Sequence, residues 1–209
     1  NPIMVKELPP LKMIATGEDH LLMLDRKGQV WAMGDDTFGQ CGQGSENRNL
    51  SGQFFEVRHT TPQKVQVPEK VTKVVSGDRH CLAITEQGHL FCWGYNNMMQ
   101  LSHSDEYGDP ENPQHAIFDP ECMGGVLKNK FVVDVAAGSE HTMVVCQVRD
   151  PAGKCLHEYV YACGNNLKGQ LGINRNSHLQ DWTLVEDISE LYDADNNGVE
   201  TPLHITAIS

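Results

Sequence analysis

Three stretches of the chain align on one another: Ile14-Ala-Thr-Gly-Glu-Asp-His20, Val74-Val-Ser-Gly-Asp-Arg-His80 and Val135-Ala-Ala-Gly-Ser-Glu-His141. In each, a histidine follows a glycine by three positions, and the glycines Gly17, Gly77 and Gly138 fall 60 and 61 residues apart. Self-similarity at a long fixed period marks a repeat architecture, in which each unit buries its faces against its neighbours.

Working outward, each histidine leads into a short apolar run: Leu21 to Leu24, Cys81 to Ile84 and Thr142 to Cys146. These runs have strand length and are too short for helices. A turn follows in the first two repeats, Asp25-Arg-Lys-Gly28 and Glu86-Gln-Gly88, and then a second strand, Val30 to Met33 and Leu90 to Trp93. Strand, short turn and strand read as a hairpin. The third repeat has a longer connection, Val148 to His157, before its second strand from Tyr159 to Cys163. Each hairpin ends on a glycine-punctuated loop: Gly34 to Gly42, Gly94 to Ser102 and Gly164 to Gly172. The second loop departs from the others, with Met99 in place of Gly39 and Gly169, and Ser102 in place of Gly42 and Gly172. A side chain at a positive φ is costly, so this loop is expected to run differently.

The tandem pattern G-x-x-H, strand, then G-x-(V/L)-(F/W/Y)-x-x-G-x-N-x-x-G-Q-L-G resembles the repeat of the regulator of chromosome condensation (RCC1-like) family over nearly all of residues 11–209. The resemblance implies an all-β fold, a seven-bladed propeller whose blades are small antiparallel sheets packed radially. Its units divide the chain into a lead-in at 1–10, repeats at 11–70, 71–131 and 132–204, and the start of a fourth repeat at 205–209. Ile205-Thr-Ala-Ile208 matches Val71-Thr-Lys-Val74. About three blades and the start of another form an open arc, and the remaining blades are expected from a longer parent chain or a second chain. Several hundred Å² of uncovered blade face would forfeit on the order of 10 kcal/mol, comparable to the stability of a domain. The arc alone is therefore expected to aggregate or to oligomerise.

Composition narrows the function. Sixteen Lys plus Arg against 28 Asp plus Glu give a net charge of −12, and no stretch gathers the cations that would neutralise several phosphates, which argues against a nucleic acid partner. No apolar run reaches the roughly 18 residues of a membrane span, and Asn1 to Lys12 lacks the apolar core of a secretory signal. Seven cysteines are an odd number in a domain that needs no staples, which reads as free thiols in a reducing, intracellular compartment.

Several residue groups carry chemistry in principle. His20, His80 and His141 each follow a carboxylate by one or two residues, but an active site is not needed three times, whereas a buried imidazole bonded to backbone groups is needed in every blade. Ser139-Glu140-His141 contains triad residue types on an extended stretch, where neighbours point to opposite faces. Asp193-Ala-Asp195-Asn-Asn197-Gly198 copies the first half of a calcium loop, but position twelve is His204 instead of a bidentate Glu, so an inter-blade turn is the better reading. The cysteines and histidines have no paired metal-ligand spacing, and the loop from Gly164 to Gly172 lacks the helix and lysine of a phosphate cradle. Trp31 and Trp93, read as equivalent to Tyr161, are taken as core aromatics. Plant ultraviolet photoreceptors of the family place Trp in G-W-R-H-T, where this chain has Glu18, Asp78 or Ser139, against photoreception. No catalytic, cofactor-binding or metal-binding residue is therefore assigned, and no cofactor is expected.

The reading is a non-enzymatic protein-interaction scaffold or assembly module, with contacts carried by the long tracts Ser45 to Gln66, Ser102 to Asn129 and Ile173 to Leu203. The alternative for each tract is that it holds a short edge strand and surface wrapping, within blades expected to be four-stranded. Gly39-Gln40-Cys41-Gly42, with Cys replacing Leu, is similar to mitochondrial members of the family, which places the chain in a large mitochondrial complex ahead of cytosol or nucleus. The alternative from the same resemblance is a guanine-nucleotide exchange factor for a small GTPase, although no wedge-forming hairpin is recognisable in the repeats.

Overall fold

The structure is a computed structural model, and it describes residues 8–44, 56–102, 116–174, 176–186, 192–194, 200–202, 205 and 208. Three four-stranded antiparallel sheets follow one another along the chain, each in consecutive strand order. The first is β1 (Leu11–Thr16), β2 (His20–Asp25), β3 (Val30–Asp35) and β4 (Arg58–Val65). The second is β5 (Val71–Ser76), β6 (His80–Thr85), β7 (Leu90–Tyr95) and β8 (Ala116–Cys122). The third is β9 (Phe131–Ala137), β10 (His141–Arg149), β11 (Cys155–Gly164) and β12 (Leu179–Leu184), and a two-stranded hairpin of β13 (Tyr192–Ala194) and β14 (Glu200–Pro202) follows it. The expected all-β blades are thus present, with Ile14, Val74 and Val135 on the equivalent strands β1, β5 and β9.

The blades stack face to face, so both faces of a middle strand are covered, and β6 is buried at every residue. Leu22, Leu24, Ala32 and Val65 of blade 1 pack against Val71, Val74, Phe91 and Trp93 of blade 2. Leu82, Ile84, Leu90 and Cys92 of blade 2 pack against Val135, Val144, Tyr161 and Trp182 of blade 3. On the far side of blade 3, Val145, Val160, Leu171 and Leu179 receive Ile205 and Ile208, the residues read as the start of a fourth repeat. Burying an aliphatic side chain is worth about 1.5–3 kcal/mol, so the seams between blades carry the hydrophobic stability of the fold.

The tracts after the glycine loops each supply the fourth, outer strand of their blade, β4, β8 or β12, so the blades are four-stranded as expected. Two expectations need correcting. The third-repeat connection is shorter than Val148 to His157, since β10 continues to Arg149 and β11 begins at Cys155. Trp31 pairs with Met23 as Phe91 pairs with Ala83 and Tyr161 with Val144, whereas Trp93 sits two residues further along opposite Cys81. Trp93 is therefore not equivalent to Tyr161.

The second glycine loop also runs like its siblings. Met99 takes φ 60° and Ser102 φ 66°, where Gly39 has 84° and Gly42 has 62°. The turn bonds match as well: Met99 N–H donates to Asn96 O at 3.1 Å and Ser102 N–H to Met99 O at 2.9 Å, as Gly39 does to Asp36 and Gly42 to Gly39. The Asn96 side chain closes the loop by accepting from Leu101 N–H at 2.8 Å, as Asp36 does from Cys41. The loop's hydrogen bonds and its buried Leu101 hold two side-chain residues in a left-handed conformation that costs about 1–2 kcal/mol each. Met99→Gly is expected to raise stability by about 0.5–1 kcal/mol, read as a higher urea midpoint. A lower midpoint would show that the Met99 side chain contributes more than its backbone costs.

Candidate interaction surface

The repeated histidines form the joints between blades. His80 Nε2 lies 3.1 Å from Thr142 Oγ1 of the next blade, and that hydroxyl donates to Gln100 O at 2.7 Å. With its proton committed to the carbonyl, the hydroxyl accepts from His80, so the imidazole carries its proton on Nε2. Cys163 Sγ donates to the same carbonyl at 3.2 Å. The preceding seam repeats the arrangement: His20 Nε2 meets Ser76 Oγ at 2.8 Å and Cys81 Sγ at 3.1 Å, while Cys81 Sγ and Trp93 Nε1 both donate to Gln40 O, at 3.2 and 3.1 Å. The loop glutamine of one blade thus seats its carbonyl between two donors of the next, while the histidine of the first blade donates across the same seam.

This arrangement explains the glycine of G-x-x-H. A Cβ on Gly17, Gly77 or Gly138 would lie 2.0, 2.1 or 2.0 Å from Cε1 of the histidine three residues on. The ring occupies the space a side chain would need, so glycine is required for room and not for a positive φ. The expected backbone partners are corrected: the ring bonds side chains across the seam. His20 and His80 are buried, and His141 only half so, because the described part of the fourth repeat covers the end of blade 3 only in part.

The seam environment keeps these rings neutral. Burial lowers the pKa of His80 from 6.5 to about 3, helped by neighbouring His20 and His141. Burial brings His20 to about 4 against the opposing pull of Asp35 and Asp19, and it lowers His141 as well. A neutral donor imidazole is a structural element, and the three rings do not gather around a common open site.

The remaining sequence candidates also disperse. Ser139 Oγ donates to Asp78 across the seam, and Glu140 accepts from Asn165, so neither turns toward His141 as a relay. Asp193 and Ala194 pair with Thr201 and Glu200 in the terminal hairpin, and Asp195 to Gly198 and His204 lie outside the described residues. Among the described residues no three metal-ligating side chains cluster, and the cysteines there are free thiols, most of them buried. Burial pushes Cys81, Cys92 and Cys163 far up, which makes them fillers and weak donors. Cys41 is fully buried where the sibling loops have Leu101 and Leu171.

One surface feature escaped the sequence reading. β10 and β11 have nine and ten residues, where the corresponding strands of blades 1 and 2 have six. Pairing with β9 ends at Gln147 and with β12 at Tyr161, so residues 148–157 stand as a two-stranded ribbon with no strand beside them among the described residues. The ribbon is built firmly. Asp150 Oδ1 accepts from Ala152 and Lys154 N–H at 2.9 Å each, and Gly153 supplies φ 84°. At its base Arg149 lies 3.4 Å over the Phe131 ring and donates to Gln147 Oε1, which in turn leans on Glu158. Leu156 is 47% exposed, and His157, Tyr159 and Tyr161 form a row with ring spacings of 6.2 and 6.4 Å. Lys130 lies 5.2 Å over Tyr161. Tyr159 and Tyr161 run into the core between blades 2 and 3, so the exposed part of this ordered protrusion is Arg149, Lys154, Leu156 and His157, side chains suited to a protein contact. The signal in the sequence was the extra length between Cys146 and Tyr159.

The fold defines an arc of a repeat propeller with an ordered ribbon at its third blade. The signature described as Regulator of chromosome condensation (RCC1) repeat matches residues 27–84 and 87–145, and a second form of it matches 13–40 and 71–100. The chain belongs to the RCC1 repeat family. It is 32% identical over 161 residues to the human Probable E3 ubiquitin-protein ligase HERC3, covering 76% of this chain and 13% of that protein. It is 27% identical over 177 residues to the Guanine nucleotide exchange factor SRM1 of Saccharomyces cerevisiae, covering 83% and 31%. Prp20p from Saccharomyces cerevisiae superposes with a TM-score of 0.65 at 22% identity, over 84% of this chain and 38% of that one. Human WBSCR16 gives 0.53 at 20%, over 87% and 54%. These structural likenesses establish the fold. The chain spans less than a third of the length of these curated relatives.

The neutral seam histidines have a pH consequence. A ring with a folded pKa near 3, against 6.5 when unfolded, stabilises the fold fully above pH 6.5 and loses that contribution as pH falls toward 3. Between pH 7 and 5 the loss is about 2 kcal/mol for His80. Glu121, whose carboxyl burial raises to about 7, acts in the opposite direction, so the informative quantity is a difference. The stability change from pH 7 to 5 in the full-length protein is expected to be less unfavourable in His80→Asn than in wild type by about 2 kcal/mol. Equal pH dependence in urea titrations of the two would mean that His80 is not held neutral.

Proposed function

We propose that this chain is the propeller part of a non-enzymatic scaffold or assembly module that docks a protein partner through the end of blade 3. The observation that carries the proposal is the ribbon at residues 148–157, unpaired on both sides among the described residues, with Leu156 exposed and Arg149 fixed on Phe131. Loops and protrusions on a rigid framework are where repeat proteins place their contacts. Lys130, Arg149 and Lys154 point to an acidic patch on the partner. Membership of a large complex belongs to this proposal. The mitochondrial compartment, ahead of cytosol or nucleus, rests on the Cys41 resemblance, and cell fractionation tests it.

The alternative is guanine-nucleotide exchange on a small GTPase. It draws on the yeast relatives: SRM1 is a guanine nucleotide exchange factor, and Prp20p has binding properties to Gsp1p and histones. The same ribbon favours it, since a firm protruding hairpin has the form of a wedge. A nucleotide-release assay with the full-length protein separates the two readings.

Arg149→Glu combined with Leu156→Asp tests the docking surface. Both side chains are exposed, so the loss of the Arg149 stack on Phe131 should lower stability by only about 1 kcal/mol, too little to unfold the protein. The full-length wild type is expected to sediment from cell extract in a particle larger than itself, and the double variant to sediment at its own mass. A variant that stays in the particle would remove this surface from the reading.

A further inference from the structure

The two described seams show what a blade offers to the blade before it. At three register-matched positions, blade 2 presents Ser76, Cys81 and Trp93, and blade 3 presents Ala137, Thr142 and Cys163. The pairs Cys81 with Trp93 and Thr142 with Cys163 are the two donors that hold the loop carbonyl of Gln40 and of Gln100. The matching positions in blade 1 are Thr16, Leu21 and Met33. Thr16 matches the Ser76 that meets His20, whereas Leu21 and Met33, which match the pair that holds the carbonyl, cannot donate a hydrogen bond.

The same face of blade 1 is less covered than its counterparts. Ile14 is 58% exposed, where Val74 is at 2% and Val135 at 1%. Trp31 and Met33 are half-buried, where Phe91, Tyr161, Trp93 and Cys163 are buried. Among the described residues no sheet lies in front of it.

An ordinary blade seated there would press its loop carbonyl against a leucine and a methionine and leave a buried acceptor without a partner, which is unfavourable. The far end of this chain is ordinary in that respect. Lys168 N–H donates to Gln170 Oε1 at 2.9 Å, as Phe38 does to Gln40 and Met98 to Gln100. A second copy docked head to tail would therefore bring the mismatched carbonyl.

We infer that the face of blade 1 formed by Ile14, Leu21, Trp31 and Met33 receives an atypical blade, a sheet of the same repeat class that presents apolar side chains where Gln40 and Gln100 present their loop carbonyls. Continuity with the two described seams makes the occupant a sheet, since the equivalent faces of blades 2 and 3 are covered by one. The missing donors make it atypical.

Threonine and valine have the same shape and differ in one hydroxyl, so Leu21→Thr and Leu21→Val in the full-length protein isolate the donor. The inference predicts that the Thr variant melts below the Val variant, because its hydroxyl is buried against an apolar sheet. At the ordinary seam the order is reversed: Thr142→Val melts below wild type. A Leu21→Thr variant melting at or above Leu21→Val would mean that a carbonyl seats there, or that nothing covers the face, and would overturn the inference. Peroxide oxidation of Met33 followed by mass spectrometry gives a second readout that needs no variant. Met33 is expected to oxidise far more slowly in the folded full-length protein than in urea, and equal rates would show the face open. If sedimentation shows a dimer of the full-length protein that Ile14→Asp dissociates, the occupant is a second copy and the inference fails.

Discussion

A neutral imidazole donating across a seam, beside a loop carbonyl clamped by two donors, is the constraint on which the rest of the structure depends. It fixes the distance and rotation between adjacent sheets to within the reach of hydrogen bonds, while the apolar side chains around it supply most of the energy. The glycine before each histidine gives up its side chain to make room for the ring. Gln40 and Gln100 hold the backbone of their loops with the side chain and present the carbonyl to the next blade. The motif is therefore one joint seen three times in sequence, twice complete among the described residues.

The joint accounts for how much of the fold was legible. Gly17 and His20, with their counterparts, recur because each seam needs both, so the repeat follows from spacing, the hairpins from the apolar runs and turns between them, and the all-β propeller from the family resemblance those motifs carry. The partners of the histidines were not legible, because Ser76, Cys81 and Thr142 differ in type and share only a position on the next blade. The bounds of the outer strands β4, β8 and β12 were not legible, because they form one wall of a blade and mix half-buried and exposed residues without a regular period, which gives a polar pattern much like a loop. Met99 and Ser102 look like a broken loop in sequence, but the side-chain cap from Asn96 and the burial of Leu101 enforce the turn despite the local cost.

The candidate surface was legible only as extra length. Ten residues between Val148 and His157 read as a loop with a Pro-Ala-Gly turn, and only the register of β10 with β11 shows that they extend the sheet past its neighbours. The same reasoning separates the interior from the surface of this protein. Histidines and cysteines, the residues with the richest chemistry, are mostly spent on joints and fillers, whereas the exposed side chains of the ribbon are the ordinary Arg149, Lys154 and Leu156.

The most direct test of the seam account is the protonation state of the His80 ring in the full-length protein, read from its imidazole 15N chemical shifts at pH 5.5. The structure requires a neutral ring protonated on Nε2, with Nδ1 bare, since Nε2 donates to Thr142 Oγ1 and Nδ1 has no hydrogen-bond partner. Two widely separated nitrogen shifts, with the proton on Nε2, are the predicted result. An imidazolium, or a ring protonated on Nδ1, would contradict it.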